Sequence, residues 1–260
     1  MEKNNRDFAK LVEIMRILRG ENGCPWDKEQ NHKSLRQHLI EEAYEVIETI
    51  DQGKYKELPE ELGDVLLQVV FHAQMAAERG DFTIEDVIQA INEKLLRRHP
   101  HVFGDAVIRS ADEQITHWEN LKKSQEGKKS AIDGVPKELP ALLRAYRMQG
   151  KAATVGFDWG EIAPVWEKVQ EEIQELKEAF DKGSRDGIED ELGDLLFSIV
   201  NLSRFLKANP EDALRRTIEK FYTRFIKIEE TFAEQERDMR QASLEEMDEI
   251  WNRIKAESKQ

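Results

Sequence analysis

The chain has 260 residues, with 39 Lys plus Arg against 53 Asp plus Glu, a formal net charge of −14. Such a field repels a polyanion, and phosphate-backbone binding draws on clustered Lys and Arg, so no nucleic-acid partner is expected. With 39% apolar and 35% charged residues, and only 14 Gly and 7 Pro, the composition is that of a helix-rich globular protein, not a disordered or fibrous one. The single Cys24 excludes an internal disulfide framework and a Cys-rich zinc site. Met1 to Lys10 carries no apolar core of a targeting signal, and no run approaches the roughly 18 apolar residues of a membrane span. A cytoplasmic protein with no membrane partner is the expectation.

Apolar residues recur at helical spacing in nearly every window. Ile162, Val165, Trp166, Val169, Ile173, Leu176 and Phe180, for example, share one face of a helix. The pattern predicts an all-α fold with helices near 6–19, 33–52, 58–79, 83–98 and 111–123, then 138–151, 161–182, 187–207, 210–233 and 243–256. Between the two sets lies a stretch rich in Lys, Gly and Ser with Pro136. It reads as a linker over 126–137 between domains at 1–125 and 138–260.

The two sets repeat one another. Gly23 and Trp26 recur as Gly156 and Trp159, 133 residues on, and Glu61-Leu62-Gly63-Asp64 recurs as Glu191-Leu192-Gly193-Asp194, 130 residues on. Glu41, Glu42 and Glu45 recur as Glu171, Glu172 and Glu175; Lys94 and Arg98 as Lys220 and Arg224; Trp118 as Trp251. The order is kept while the offset drifts by a few residues, which marks a tandem duplication with loops of altered length.

Residues three apart on a helix project to one side, so Glu42 pairs with Glu45 and Glu61 with Asp64, and likewise Glu172 with Glu175 and Glu191 with Asp194. Two such helices packed antiparallel gather four carboxylates. Four like charges that close do not all stay ionised without a cation, and oxygen-only ligands select a hard ion, Mg²⁺ with Mn²⁺ as a substitute. The competing reading is a solvated acidic face. Against it, the wheel of residues 61–72 confines Glu61, Asp64, Gln68 and His72 to a narrow stripe of an otherwise apolar helix, which is expected to be mostly buried. A di-iron bundle would add His three residues after Glu on two helices, and the second repeat has no His.

Lys94 with Arg98, and Lys220 with Arg224, are phosphate clamps beside a metal cluster and ordinary partners of surface Glu without one. Trp118 and Trp251 have the same two readings, a base-stacking ring or a core side chain.

Together EExxE, ExxD, KxxxR and the terminal Trp, with GCPWD and SLRQHLIEEAYEVIE in the first repeat, resemble the MazG family of nucleoside triphosphate pyrophosphohydrolases, in its two-domain bacterial form. The resemblance implies tandem all-α domains whose four-helix cores are completed by pairing, as in a homodimer. It implies Mg²⁺-dependent hydrolysis of ATP and other nucleoside triphosphates to the monophosphate and pyrophosphate, for house-cleaning or regulation of nucleotide pools. Carried over, Glu172, Glu175, Glu191 and Asp194 hold Mg²⁺, with Glu172 or Glu175 a candidate base; Lys220 and Arg224 hold phosphates and Trp251 approaches the nucleoside. Glu42, Glu45, Glu61, Asp64, Lys94, Arg98 and Trp118 are the first-repeat counterparts. Lys168, four residues before Glu172, adds a cation where the first repeat has His38, so the second repeat is expected to be the main catalytic one. The alternative is a non-catalytic, metal-stabilised helical module for nucleotide binding or assembly.

Overall fold

A computed structural model of the chain describes residues 7–110, 113–114 and 130–257. Trp118, most of the helix expected at 111–123 and residues 126–129 of the expected linker lie outside them. The chain divides into two compact units, Met1–Arg109 and Ser110–Gln260. Among the described residues every regular element is helical, and no helix is long and apolar enough to cross a membrane.

The first unit contains α1 (Phe8–Leu18), α2 (Pro25–Glu29), α3 (Arg36–Asp51), α4 (Leu58–Arg79), α5 (Ile84–Arg98) and α6 (Pro100–Phe103). The short α2 and α6 escape the periodicity argument because neither completes two turns; each starts on a Pro, whose fixed φ suits the first helical position. Asp7 caps α1 by accepting a hydrogen bond from the Ala9 N–H at 3.0 Å. At the turn after α1, a Cβ on Gly23 would lie 2.0 Å from the Leu18 carbonyl oxygen, so only glycine fits. The long α4 opens with Pro59, Glu60 and Glu61, which suit the positive end of the helix dipole, and closes on Gly80 at φ 74°. Thr83 and Asp86 form a capping box that restarts the chain as α5.

In this unit α4 is central, packing against α3, α1 and α5. Met15, Leu35, Val70, Phe71, Ala73, Met75 and Ile84 make the core. Arg19, whose side chain is 8% exposed, bonds Glu78 at 2.7 Å and ties the end of α1 to α4.

The second unit contains α7 (Ala141–Ala153), α8 (Ala163–Asp181), α9 (Arg185–Phe205), α10 (Pro210–Glu234) and α11 (Leu244–Glu257). Ser184 caps α9 through the Gly187 N–H, and Asn209 caps α10 through the N–H groups of Glu211 and Asp212. Here α9 packs against α8 and α7, while α10 packs chiefly against α7 and α11. Val165, Val169 and Leu202 form one core; Ile228, Phe232 and Ile254 form another, with Trp251 packed against it.

One expectation is corrected. The helix over 61–72 is apolar nearly all round but not buried all round: Leu62, Leu66 and Val69 are 50%, 40% and 37% exposed. Their counterparts on α9, Leu192, Leu196 and Ile199, are 45%, 47% and 43% exposed. Each hairpin is covered on one side only by its own unit, so the same stripe is left bare in both repeats.

Candidate active site

The α8–α9 hairpin is closed by a short turn with Gly183 at φ 66°, which returns α9 antiparallel to α8. Periodicity then aims Glu172 and Glu175 from one helix at Glu191 and Asp194 from the other. One oxygen each of Glu172, Glu191 and Asp194 lie within 4.8 Å of one another, and Glu171, Glu172 and Glu175 form a second such group through the shared Glu172.

Glu172 is the hinge of this arrangement. It is 4% exposed, and its Oε1 accepts a bond from Lys168 Nζ at 2.7 Å while its Oε2 is buried with no hydrogen-bond partner. An orphaned carboxylate oxygen costs free energy unless a cation or donor reaches it. Lys168 also bonds Glu171 at 2.6 Å, and these two carboxylates raise its pKa above that of an ordinary lysine, keeping it charged. Partial loss of hydration, then the charges of Glu172 and Glu191, raise the pKa of the exposed Glu175, with Lys168 opposing them. Oxygen-only donors, mutual repulsion and an unpartnered buried oxygen fit a hard divalent cation at this cluster.

Beside it opens a pocket of about 500 Å³, lined by Lys168, Glu172 and Asp194 together with Gln149 of α7, Phe157 and Trp159 of the α7–α8 loop, and Asn201 of α9. Arg204 bonds Asp158 at 2.6 Å and braces that loop against α9. Sequence reasoning missed Gln149, Asn201 and Arg204, since single polar residues inside apolar periodicity carry no motif. Trp159 was visible only as the echo of Trp26, and Glu171 only as the first letter of EExxE.

Lys220, Arg224 and Trp251 do not line this pocket. The Arg224 guanidinium lies 5.3 Å from the Trp251 ring centre, and Phe221 lies 5.5 Å from the same ring. Lys220 is exposed on α10.

In the first unit α3 and α4 bring Glu42, Glu45, Glu61 and Asp64 into mutual influence. Burial, then Asp64 and Glu45, raise the Glu42 pKa against a hydrogen bond from Gln68; burial, then Glu45, raise that of Glu61. His38 takes the place of Lys168 and meets Glu41 at 3.2 Å. Trp26 packs edge-on to His38 and Phe71, at 6.0 and 6.5 Å. His72, on the carboxylate stripe of α4, stacks on His32 with their Nδ1 atoms 2.8 Å apart. Lys94 is exposed on α5, and Arg98 ends that helix.

The family model described as the MazG nucleotide pyrophosphohydrolase domain matches residues 30–103 and again 164–227, spanning both acidic hairpins. The chain belongs to the MazG family. A Thermotoga maritima protein named nucleoside triphosphate pyrophosphohydrolase/pyrophosphatase MazG is 52% identical over 250 residues, 95% of each chain. An Escherichia coli K12 nucleoside triphosphate pyrophosphohydrolase is 44% identical over 252 residues, 95% of this chain and 96% of its own. The Bacillus subtilis protein YabN is 46% identical over 252 residues, 96% of this chain but 52% of its own length. The duplication read from the sequence is thus a pair of MazG repeats, and the tandem all-α architecture follows.

Proposed function

We infer that this MazG chain hydrolyses nucleoside triphosphates to the monophosphate and pyrophosphate, with the α8–α9 cluster as its main centre. The observation that carries the inference is the buried Glu172, one oxygen held by Lys168 and the other orphaned, inside a ring of Glu175, Glu191 and Asp194. Glu172, Glu175, Glu191 and Asp194 are the residues that would hold Mg²⁺, with Mn²⁺ as a substitute. When bound, the ion supplies positive charge that offsets the triphosphate's own and draws electron density from the phosphorus under attack.

The rest of the chemistry belongs to side chains. Lys168 offers a cation beside the phosphates at no cost of placement, since Glu171 and Glu172 already fix it. The base that takes the proton of the attacking water is drawn from Glu172 and Glu175. Glu175, exposed and not bonded to Lys168, is the better placed of the two.

A homodimer is part of the same reading. The bare stripes of α4 and α9 are large apolar faces, and pairing hairpin with hairpin would complete four-helix cores. Lys220, Arg224 and Trp251 sit on α10 and α11, outside the pocket's lining, and would reach the phosphates and nucleoside from the second chain. The first repeat, with Glu42, Glu45, Glu61, Asp64, Lys94, Arg98 and Trp118, is a secondary site or an assembly element. The cytoplasm, where nucleotide pools and millimolar Mg²⁺ meet, is the compartment in which this chemistry is useful.

The test is release of monophosphate and pyrophosphate from a panel of nucleoside triphosphates, with and without Mg²⁺. Loss of turnover in Glu172→Gln with an unchanged helical signal is expected. Metal that raises the melting temperature without any triphosphate hydrolysis would replace this reading by a non-catalytic module.

A further inference from the structure

Resting on the nucleotide reading above, we propose that Gln149, supported by Asn201, reads the base of the substrate by accepting a hydrogen bond from an N–H on the base edge. Gln149 is 7% exposed in the wall of the pocket that Glu172 and Asp194 also line. Its Nε2 donates to the Phe197 carbonyl at 2.9 Å, which fixes the amide plane, and its Oε1 is left buried with no partner. A buried, oriented acceptor without a donor is destabilising in the empty protein and becomes an asset when a ligand supplies the donor.

Asn201, 6% exposed, is held in a complementary way. Its Oδ1 accepts from Arg204 Nη1 at 2.5 Å, and Arg204 is itself held by Asp158 at 2.6 Å. That leaves the Asn201 amide N–H₂ as the donor on the same pocket wall. An acceptor and a donor, each locked by a separate bond, match a heterocycle edge that carries one N–H and one lone pair. Phe157 and Trp159 supply the aromatic faces against which a flat ring packs. The volume of about 500 Å³ lies within the range of small-molecule sites, and Glu172 and Asp194 in its wall adjoin the cluster whose cation would hold the triphosphate.

The duplication supplies an internal control. At the register of Glu61 and Glu191, Asn201 corresponds to Phe71; at the register of Gly23 and Gly156, Gln149 corresponds to Arg16. Phe71 is 3% exposed and meets Trp26, while Arg16 is turned to solvent and paired with Glu13 at 2.8 Å. Both polar readers are therefore particular to the second unit, where the buried Glu172 and its lysine also are.

The experiment uses the full-length protein with Mg²⁺. kcat/KM is measured for ATP, CTP, GTP and UTP, and for analogues of the best of these whose base N–H donors are removed or methylated. A fall of roughly tenfold or more on losing the donor is expected for the unaltered protein, the size of one buried hydrogen bond left unmade. In Gln149→Met the same pair of substrates should differ by less than about twofold, while competitive inhibition by inorganic tripolyphosphate stays unchanged. That pattern separates base reading from phosphate binding and from a fold defect, which would weaken both. Should Gln149→Met not fold, the unaltered protein decides alone: kcat/KM within about threefold for every donor-free analogue overturns the proposal. Hydrolysis that is indifferent to the donor removes only this inference, whereas no hydrolysis of any nucleotide removes the nucleotide reading and this one with it.

Discussion

The α3–α4 and α8–α9 hairpins carry the same four carboxylates at the same spacing, yet their surroundings differ. Around Glu172 the cation is a lysine bonded to two carboxylates, the wall carries an orphaned amide oxygen, and the loop holding Trp159 is braced by Arg204. Around Glu42 the cation is replaced by His38, Gln68 gives its amide N–H to Glu42 itself while its own Oε1 is left buried and unpartnered, and Trp26 packs down on Phe71. The same acidic motif therefore sits in two different settings, and the proposed centre is the one with the lysine. On the proposed reading, the partners that hold the carboxylates ready matter as much as the carboxylates themselves.

The most direct test substitutes the same residue in both copies. Asp194→Asn is expected to lower monophosphate release by roughly a thousandfold, on the scale of losing a key electrostatic group. Asp64→Asn should change it by no more than a few fold. Equal losses would mean that the two hairpins share the work.

Exchanging the cation comes next in size. Lys168→His should cost about tenfold to a hundredfold in kcat/KM at pH 8, where the imidazole is neutral, and recover in part as pH is lowered towards 6. The reciprocal His38→Lys should leave the rate nearly unchanged, because on the proposed reading the first hairpin is not the main centre.

On stability, Arg19→Ala is expected to lower unfolding free energy of the first unit by roughly 1–3 kcal/mol, since a buried guanidinium loses its bonds to Glu78 and to the Asp27 carbonyl. Arg19 holds the Glu78 carboxyl below the usual carboxylate range. The stabilisation is therefore present above the unfolded-state pKa near 4.5 and lost as pH falls through the lowered folded value. Urea midpoints at pH 7 and pH 4 check the sign.

The smallest effect expected is at His72. Burial, then the neighbouring His32, push its pKa below the usual 6.5, so the folded unit favours the neutral ring. Stability should fall as pH drops from about 6.5 through that lowered value. His72→Leu, the residue found at position 202, should flatten this slope. A slope unchanged in the variant would place the titration elsewhere.

Much of the fold was legible because helices announce themselves. The apolar periodicity put all the long described helices within three residues of where they lie. The carboxylate ring was legible for the same reason: i and i+3 on two neighbouring helices leave little choice of geometry. What stayed hidden depends on contacts between segments far apart in sequence. The orphaned oxygen of Gln149 exists only because Phe197, 48 residues away, takes its amide hydrogen. The bare stripe at Leu62, Leu66 and Val69 was misread as buried because apolarity reports what a surface needs, and not whether its own unit covers it.

That stripe also bears on how the protein is made. Synthesis proceeds from the N-terminus at about 5–20 residues per second, so the first unit is made roughly 4–17 seconds before the chain reaches Leu192. For that interval Leu62, Leu66 and Val69 are on offer while Leu192, Leu196 and Ile199 do not yet exist on the same chain. If the stripes pair as proposed, the mates on offer in that interval are older chains. Order of birth, and not affinity alone, thereby weighs on which of two nearly identical surfaces finds which.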